Sequence, residues 1–206
     1  MFITLFTYDR PEMLKETTDH IRRNIGENDT LTIYNDGVDF PHRGKKGFWK
    51  TWNEALKKCE ENVDDIYMFM PEDFLNIDFG RVREIHERMK HEPYVFNIIN
   101  DGRHQSWGAF KKQDPVNGVE QIGFCDGGFF CNRKALESIG FYMTEINERR
   151  WKDFPNLSSG IGQQLTGRFH RAKVKMYKPV KSLAYHGDHE SKMNPEERIK
   201  NPLISK

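Results

Sequence analysis

Cysteine is scarce in this chain of 206 residues, with only Cys59, Cys125 and Cys131. The number is odd and the spacing fits no metal-ligand pattern, which excludes a disulfide scaffold and leads us to expect free thiols in a reducing compartment. An excess of charge is also missing. Lys and Arg total 32 against 31 Asp and Glu, for a net charge of +1, so no global signal points to nucleic acid or an anionic surface. No apolar run approaches the length of a membrane span. The opening Met1-Phe2-Ile3-Thr4-Leu5-Phe6 lacks a basic leader and reaches Tyr8-Asp9-Arg10 too soon for a signal peptide. A soluble, cytoplasmic protein is the expectation. There is no GxGxxG and no Walker A sequence, so dinucleotide binding and P-loop phosphoryl transfer lose their main support. No internal repeat is present.

What is there reads as one α/β domain spanning 1–206. Phe2 to Thr7 is a buried strand. Asp9 is a candidate cap for a helix that starts at Pro11 and carries Leu14, Thr18, Ile21 and Ile25 at helical spacing as far as Gly26. Leu31 to Tyr34 is a second strand, ending in the turn signal Asn35-Asp36-Gly37. A Gly- and Lys-rich loop, Pro41 to Gly47, leads to a helix with Phe48, Trp52, Ala55, Leu56 and Cys59 on one face. Ile66 to Met70 is a third strand, and Phe79, Val82, Ile85 and Met89 mark the next helix. Beyond Tyr94 to Ile99 the pattern is more irregular. Short strands are expected at Gln121 to Cys125 and Phe129 to Cys131, then a helix capped by Asn132 that stops at Gly140. A helix near Ile161 to Phe169 and a strand near Val174 to Tyr177 follow. Alternating strands and helices predict a mainly parallel sheet flanked by helices, and such sheets gather ligands at the carboxyl ends of their strands.

Those ends are polar here: Thr7-Tyr8-Asp9-Arg10, Asn35-Asp36-Gly37 and Pro71-Glu72-Asp73. The third is the most informative. Five residues suited to a buried strand, Ile66-Tyr67-Met68-Phe69-Met70, stop at a proline and two adjacent carboxylates. Two negative charges there are costly unless a positive group joins them, and a divalent cation would serve. Oxygen ligands suit Mn²⁺ or Mg²⁺ holding a diphosphate, although Glu-Asp after a strand is also what a solvated turn looks like. The tail from Thr166 to Lys206 is locally basic and suits either phosphates or plain solvation.

The order of these segments resembles the nucleotide-sugar glycosyltransferases of the GT-A fold, a Rossmann-like single domain. Phe6-Thr7-Tyr8-Asp9-Arg10-Pro11-Glu12 is similar to their first strand and helix start. Asn35-Asp36-Gly37 falls at their second-strand aspartate, and Glu72-Asp73 at their metal-binding DxD element. The run from Cys125 to Leu136 is similar to their acceptor-side turn and helix, and Ser182-Leu183-Ala184-Tyr185-His186 to a late strand ending in histidine. The resemblance implies a nucleotide-binding half (1–100), an acceptor-side half (101–206), a UDP-sugar donor and a bound Mn²⁺ or Mg²⁺. Residue by residue it implies that Thr7, Tyr8, Arg10 and Asp36 border the nucleotide, with Lys45 (or Lys46 or Arg43) reaching the phosphates from the loop. The resemblance further implies that Asp73 coordinates the metal and that His186 completes the coordination sphere or contacts a phosphate. Glu72 would contact the donor sugar or the metal's water shell, and Trp107 and Asp126 would face the donor sugar. Trp107 and His186, with His189 beside it, have ordinary structural or solvated roles as alternatives.

The chain departs from that pattern at one place. The segment where inverting members carry a base reads Asn156-Leu157-Ser158-Ser159-Gly160-Ile161-Gly162-Gln163-Gln164, without an acid. Asp126, between Cys125 and two glycines that permit close approach of a ligand, is the catalytic candidate, with Asp153 second; a retaining enzyme would need neither. Three functional readings remain open: transfer to a glycan or another hydroxyl acceptor in glycan biosynthesis, a viral enzyme glycosylating hydroxymethylpyrimidines in DNA, and an inactive nucleotide- or carbohydrate-binding module. DNA is not the favoured partner. A metal-dependent nuclease or phosphatase would need more clustered acids or histidines than Glu72, Asp73 and Asp78 supply.

Overall fold

A computed structural model describes residues 1–36, 38–39, 44–100, 118–125, 127–152 and 157–187. The first strand, β1 (Phe2–Thr7), is buried along its whole length, as a continuous apolar run in a covered sheet must be. It pairs in parallel with β2 (Thr30–Asn35) and β3 (Ile66–Pro71). Strands β5 (Tyr94–Asn97), β6 (Val119–Ile122), β7 (Phe129–Asn132) and β8 (Lys175–Pro179) complete a sheet of order β2-β1-β3-β7-β5-β8-β6. Among the described residues five of its seven strands run one way. β7 lies antiparallel between β3 and β5, and β6 lies antiparallel on β8. The mixed, mainly parallel sheet expected from the sequence is therefore present. Strands from both halves of the chain share it. A separate ribbon joins β4 (Phe74–Leu75) to β9 (Tyr185–His186).

Strand alternation divides the core into two layers. Phe2 and Phe6, Tyr67 and Phe69, and Phe129 and Cys131 face α2 (Gly44–Glu61), α4 (Arg133–Ser138) and α5 (Ile161–Arg171). Ile3, Leu5, Met68, Met70, Phe96 and Phe130 face α1 (Pro11–Asn24) and α3 (Phe79–Met89). Trp52 of α2 is the centre of the first layer, stacked on Phe6 at 4.6 Å and on Phe69 at 5.1 Å. Asn132 caps α4 as expected, accepting from the Ala135 N–H. All three cysteines are buried, and none of them forms a disulfide. Among the described residues no helix is long and apolar enough to cross a membrane.

Several expectations are corrected. The residue before α1 is Arg10, not Asp9; Asp9 adopts φ 48°, a left-handed turn that Asp tolerates, and the Arg10 side chain makes no capping bond to the helix. Lys45 and Lys46 belong to the first turn of α2, which already begins at Gly44, so neither extends from a loop. The strand expected at Gln121 to Cys125 starts earlier and ends at Ile122, β5 stops at Asn97, and α4 ends at Ser138.

Candidate active site at the carboxyl edge of the sheet

The register of the three parallel strands determines which residues meet at this edge. Thr7 pairs with Asn35 and Phe6 with Pro71, so Tyr8, Asp36 and Glu72 leave the sheet side by side. Backbone bonds continue the pairing past the strand ends: Asp36 N–H donates to Thr7 O at 2.9 Å, and Glu72 N–H to Phe6 O at 3.1 Å. From α1, the Thr17 hydroxyl donates to Glu72 O. The carboxylate turn is thus anchored by the sheet on one side and by a helix on the other.

Glu72 and Asp73 are each 6 % exposed. Arg10 supplies a positive charge to both, with Nη1 at 3.5 Å from Glu72 Oε1 and 3.9 Å from Asp73 Oδ2. His186 Nε2 lies 3.4 Å from the same Asp73 Oδ2, and Gly187 N–H donates to Asp73 O at 2.8 Å. One guanidinium for two buried carboxylates leaves negative charge in a poorly solvated place. The Glu72 carboxyl is accordingly pushed up to about 7, chiefly by burial, with its own backbone N–H and the Arg10 charge opposing the rise and the neighbouring Asp73 charge adding to it. Asp73 Oδ1 is buried and accepts no hydrogen bond among the described residues; the Thr7 hydroxyl is in the same situation. An orphaned buried acceptor is open to a ligand, an ion or a water.

These atoms can be tested against a divalent cation. Among the described residues no group of three His, Cys, Asp or Glu side chains is arranged to hold one. Asp73 and His186 nevertheless form a two-ligand set of carboxylate oxygen and imidazole, with the unpartnered Oδ1 available. Mg²⁺ and Mn²⁺ sites that use one or two protein ligands and fill the remainder from substrate phosphates and water fit that set.

Asp36 is almost fully buried at the end of β2, and Thr51 of α2 donates its hydroxyl to Asp36 Oδ1 at 3.1 Å. Of the residues singled out from sequence, Thr7, Tyr8, Arg10, Asp36, Glu72, Asp73 and His186 therefore share one edge, and Arg10, Glu72, Asp73 and His186 touch. Lys45 stands in the first turn of α2, while Lys46 reaches Glu148 of the 3₁₀ turn Glu148–Trp151 at 4.0 Å. Trp107, Asp126, Arg43, Asp153 and His189 lie outside the described residues.

Sequence reasoning missed Thr17, Thr51 and Phe74. The two threonines carried a faint signal, polar side chains on otherwise apolar helix faces. The group that approaches Gly128 closely is the Phe74 ring, because a Cβ there would lie 2.8 Å from Cδ2 and 3.0 Å from Cζ. Gly160 precedes α5 at φ 82°, and no acidic residue occupies the first turn of that helix. Gln163 there accepts from Arg150 Nη1 at 2.9 Å.

No protein-family model matches the sequence, and no curated protein matches it either. Among solved structures, this chain is similar to the crystal structure of a glycosyltransferase involved in the glycosylation of the major capsid of PBCV-1. The TM-score is 0.40 and the identity 14 %, with 75 % of this chain and 71 % of that one covered.

Proposed function

We propose that the chain is a glycosyltransferase that takes a sugar from a UDP-sugar and delivers it to a hydroxyl group of a carbohydrate acceptor. The observation that carries the reading is the convergence of Arg10, Glu72, Asp73 and His186 at the carboxyl ends of parallel strands, with one buried carboxylate oxygen of Asp73 unpartnered. Donor cleavage breaks the bond between the anomeric carbon and the diphosphate oxygen, and the electron pair leaves with the nucleoside diphosphate. The acceptor oxygen forms the new bond and gives up its proton to a base or to the leaving phosphate.

Asp73 and His186 are the residues that would hold Mn²⁺ or Mg²⁺, which supplies positive charge against the departing diphosphate. Arg10 stands ready on the same carboxylates as a second cation for the phosphates. Asp36 offers an acceptor to the ribose or base, and the half-buried Tyr8 a ring beside it. Glu72, partly protonated near neutrality, can donate or accept a hydrogen bond to a sugar hydroxyl. Asp126 takes the acceptor proton in the inverting form of this reading.

A second reading, a binding module without transfer, draws on the acid-free first turn of α5. A thermal-shift screen of UDP, GDP, CMP and their sugars, with and without Mn²⁺, separates the possibilities, since a ligand of the folded state raises its melting temperature. UDP-sugar with Mn²⁺ is expected to stabilise the protein and to be cleaved to UDP; binding without cleavage supports the module. Asp73→Asn should abolish the Mn²⁺-dependent part of UDP binding while leaving the far-UV spectrum unchanged. Undiminished Mn²⁺-dependent binding by that variant would remove the metal assignment.

A further inference from the structure

Three segments of the site meet at one side chain. Phe74, fully buried, directly follows Asp73 in the chain. Its backbone pairs with His186 across the β4–β9 ribbon, and its ring meets the His186 imidazole edge-on with centroids 5.2 Å apart. The far edge of the ring occupies the space that Gly128 leaves open. A Cβ at Gly128 would clash with Cε2 and come within 2.8 Å of Cδ2, closer than real Cβ contacts allow, and one at Gly127 would stand 3.8 Å from Cζ. Gly128 has no left-handed φ to demand glycine; what excludes a side chain there is Phe74.

The parts around this contact are tied down independently. Gly128 O accepts from Ile98 N–H at 2.9 Å, and Ile98 O accepts from Leu183 N–H at 2.8 Å on the approach to β9. On the other side of Asp126, Phe124 O accepts from Asn97 Nδ2 at 3.1 Å. Cys125 exchanges two hydrogen bonds with the Thr166 hydroxyl of α5, at 2.9 and 3.2 Å. His170 Nε2 lies 2.8 Å from Gly123 O. The turn is held to the sheet and to α5, and it meets the carboxylate turn through the Phe74 ring.

We propose that Phe74 is a positioning residue: its ring, seated against Gly128, sets the spacing of Asp73, His186 and the Gly127–Gly128 turn, so that donor-side and acceptor-side groups move as one body. The inference rests on the proposed glycosyl transfer for its catalytic meaning. Tight side-chain packing makes such a contact stiff, and a shift of about an ångström at reacting groups lowers rates by about two orders of magnitude. Phe74 touches no reacting atom; it acts through Asp73 and His186.

The test is a size-swap cycle in the full-length protein. Gly128→Ala adds the clashing methyl, Phe74→Leu removes the outer ring, and the double variant pairs the two. Two readouts are taken: steady-state UDP release with Mn²⁺ and UDP-sugar, and the His186 Cε1–H proton resonance, assigned with a His186→Gln variant. The folded fraction is measured for each protein by urea denaturation.

Gly128→Ala is expected to lower kcat about 100-fold with the KM for donor within about threefold, at a folded fraction equal to wild type. It should also displace the His186 resonance from across the ring. The double variant should regain at least about tenfold in kcat over Gly128→Ala and return the resonance toward the Phe74→Leu position. Activity that merely tracks the folded fraction, or a His186 resonance that ignores Gly128→Ala, overturns the proposal. If wild-type protein releases no UDP from any donor, the proposed function fails, and the resonance alone then decides whether Phe74 couples the segments. If Gly128→Ala does not fold, Phe74→Leu carries the test: wild-type kcat and an unmoved resonance would refute it.

Discussion

Replacing Glu72 by Gln should make the protein more stable, by an amount that grows as pH rises from about 4.5 to about 7 and is nearly complete at neutrality. The Glu72 carboxyl is raised from 4.5 to about 7 in the folded state. Between those values the folded chain keeps a proton that the unfolded chain has released, so stability is greatest at low pH and falls as pH rises through that window. At about 1.36 kcal/mol per pH unit, the gap corresponds to about 3 kcal/mol lost by pH 8. The 6 % exposure of the residue leaves little solvent to screen it. Gln keeps the shape and the acceptor facing Arg10 but carries no charge, so Glu72→Gln should recover about 3 kcal/mol at pH 8 and less than about 1 kcal/mol at pH 5. For a chain of this size that is a rise in melting temperature of about 6 to 12 °C. Urea denaturation of both proteins at the two pH values, with EDTA to strip divalent cations, measures it. An equal effect at both pH values, or no gain at pH 8, would refute the assignment of a poorly compensated charge to this turn.

Two other sites yield predictions of opposite character. Lys178, fully buried in β8, is satisfied by Asn100 Oδ1 at 2.8 Å and Glu120 Oε2 at 3.5 Å. Glu120→Ala should therefore cost about 3 to 5 kcal/mol in urea denaturation by stranding the ammonium, whereas Glu120→Leu with Lys178→Met should stay within about 1 to 2 kcal/mol of wild type; a harmless single substitution would contradict this. Trp52→Ala should cost about 3 to 5 kcal/mol, because Trp52 stacks on Phe6 and Phe69 at the centre of one core layer. A loss below about 1 kcal/mol would show that α2 does not depend on that stack.

Most elements were legible because their signals are local. β1 and β3 appear as unbroken apolar runs, and α1, α3 and α5 as apolar residues every three or four positions, all within a few residues of the observed bounds. β7 was legible as a strand but not as an antiparallel neighbour of β3, since three apolar residues carry no direction. Part of the site was equally visible. A charged pair that interrupts a buried strand is conspicuous at Glu72-Asp73. Its partners were not: nothing local to Arg10 distinguishes a residue that borders a nucleotide from one that turns onto two carboxylates. The left-handed backbone of Asp9 just before it is a property of the folded turn.

The Gly127–Gly128 pair marks the boundary between the two kinds of information. By itself, the amino-acid order determined where the chain would run as strand or helix, which strand ends carry acids, and that two glycines follow Asp126. Only the tertiary structure decided that Phe74 fills the space at Gly128, that Arg10 and His186 converge on Asp73, and that burial raises Glu72. The physical reason is range. Hydrophobic periodicity and turn chemistry act between neighbours in sequence, whereas a ring in a gap, a guanidinium on a carboxylate and the loss of solvent around a charge exist only once distant segments have packed.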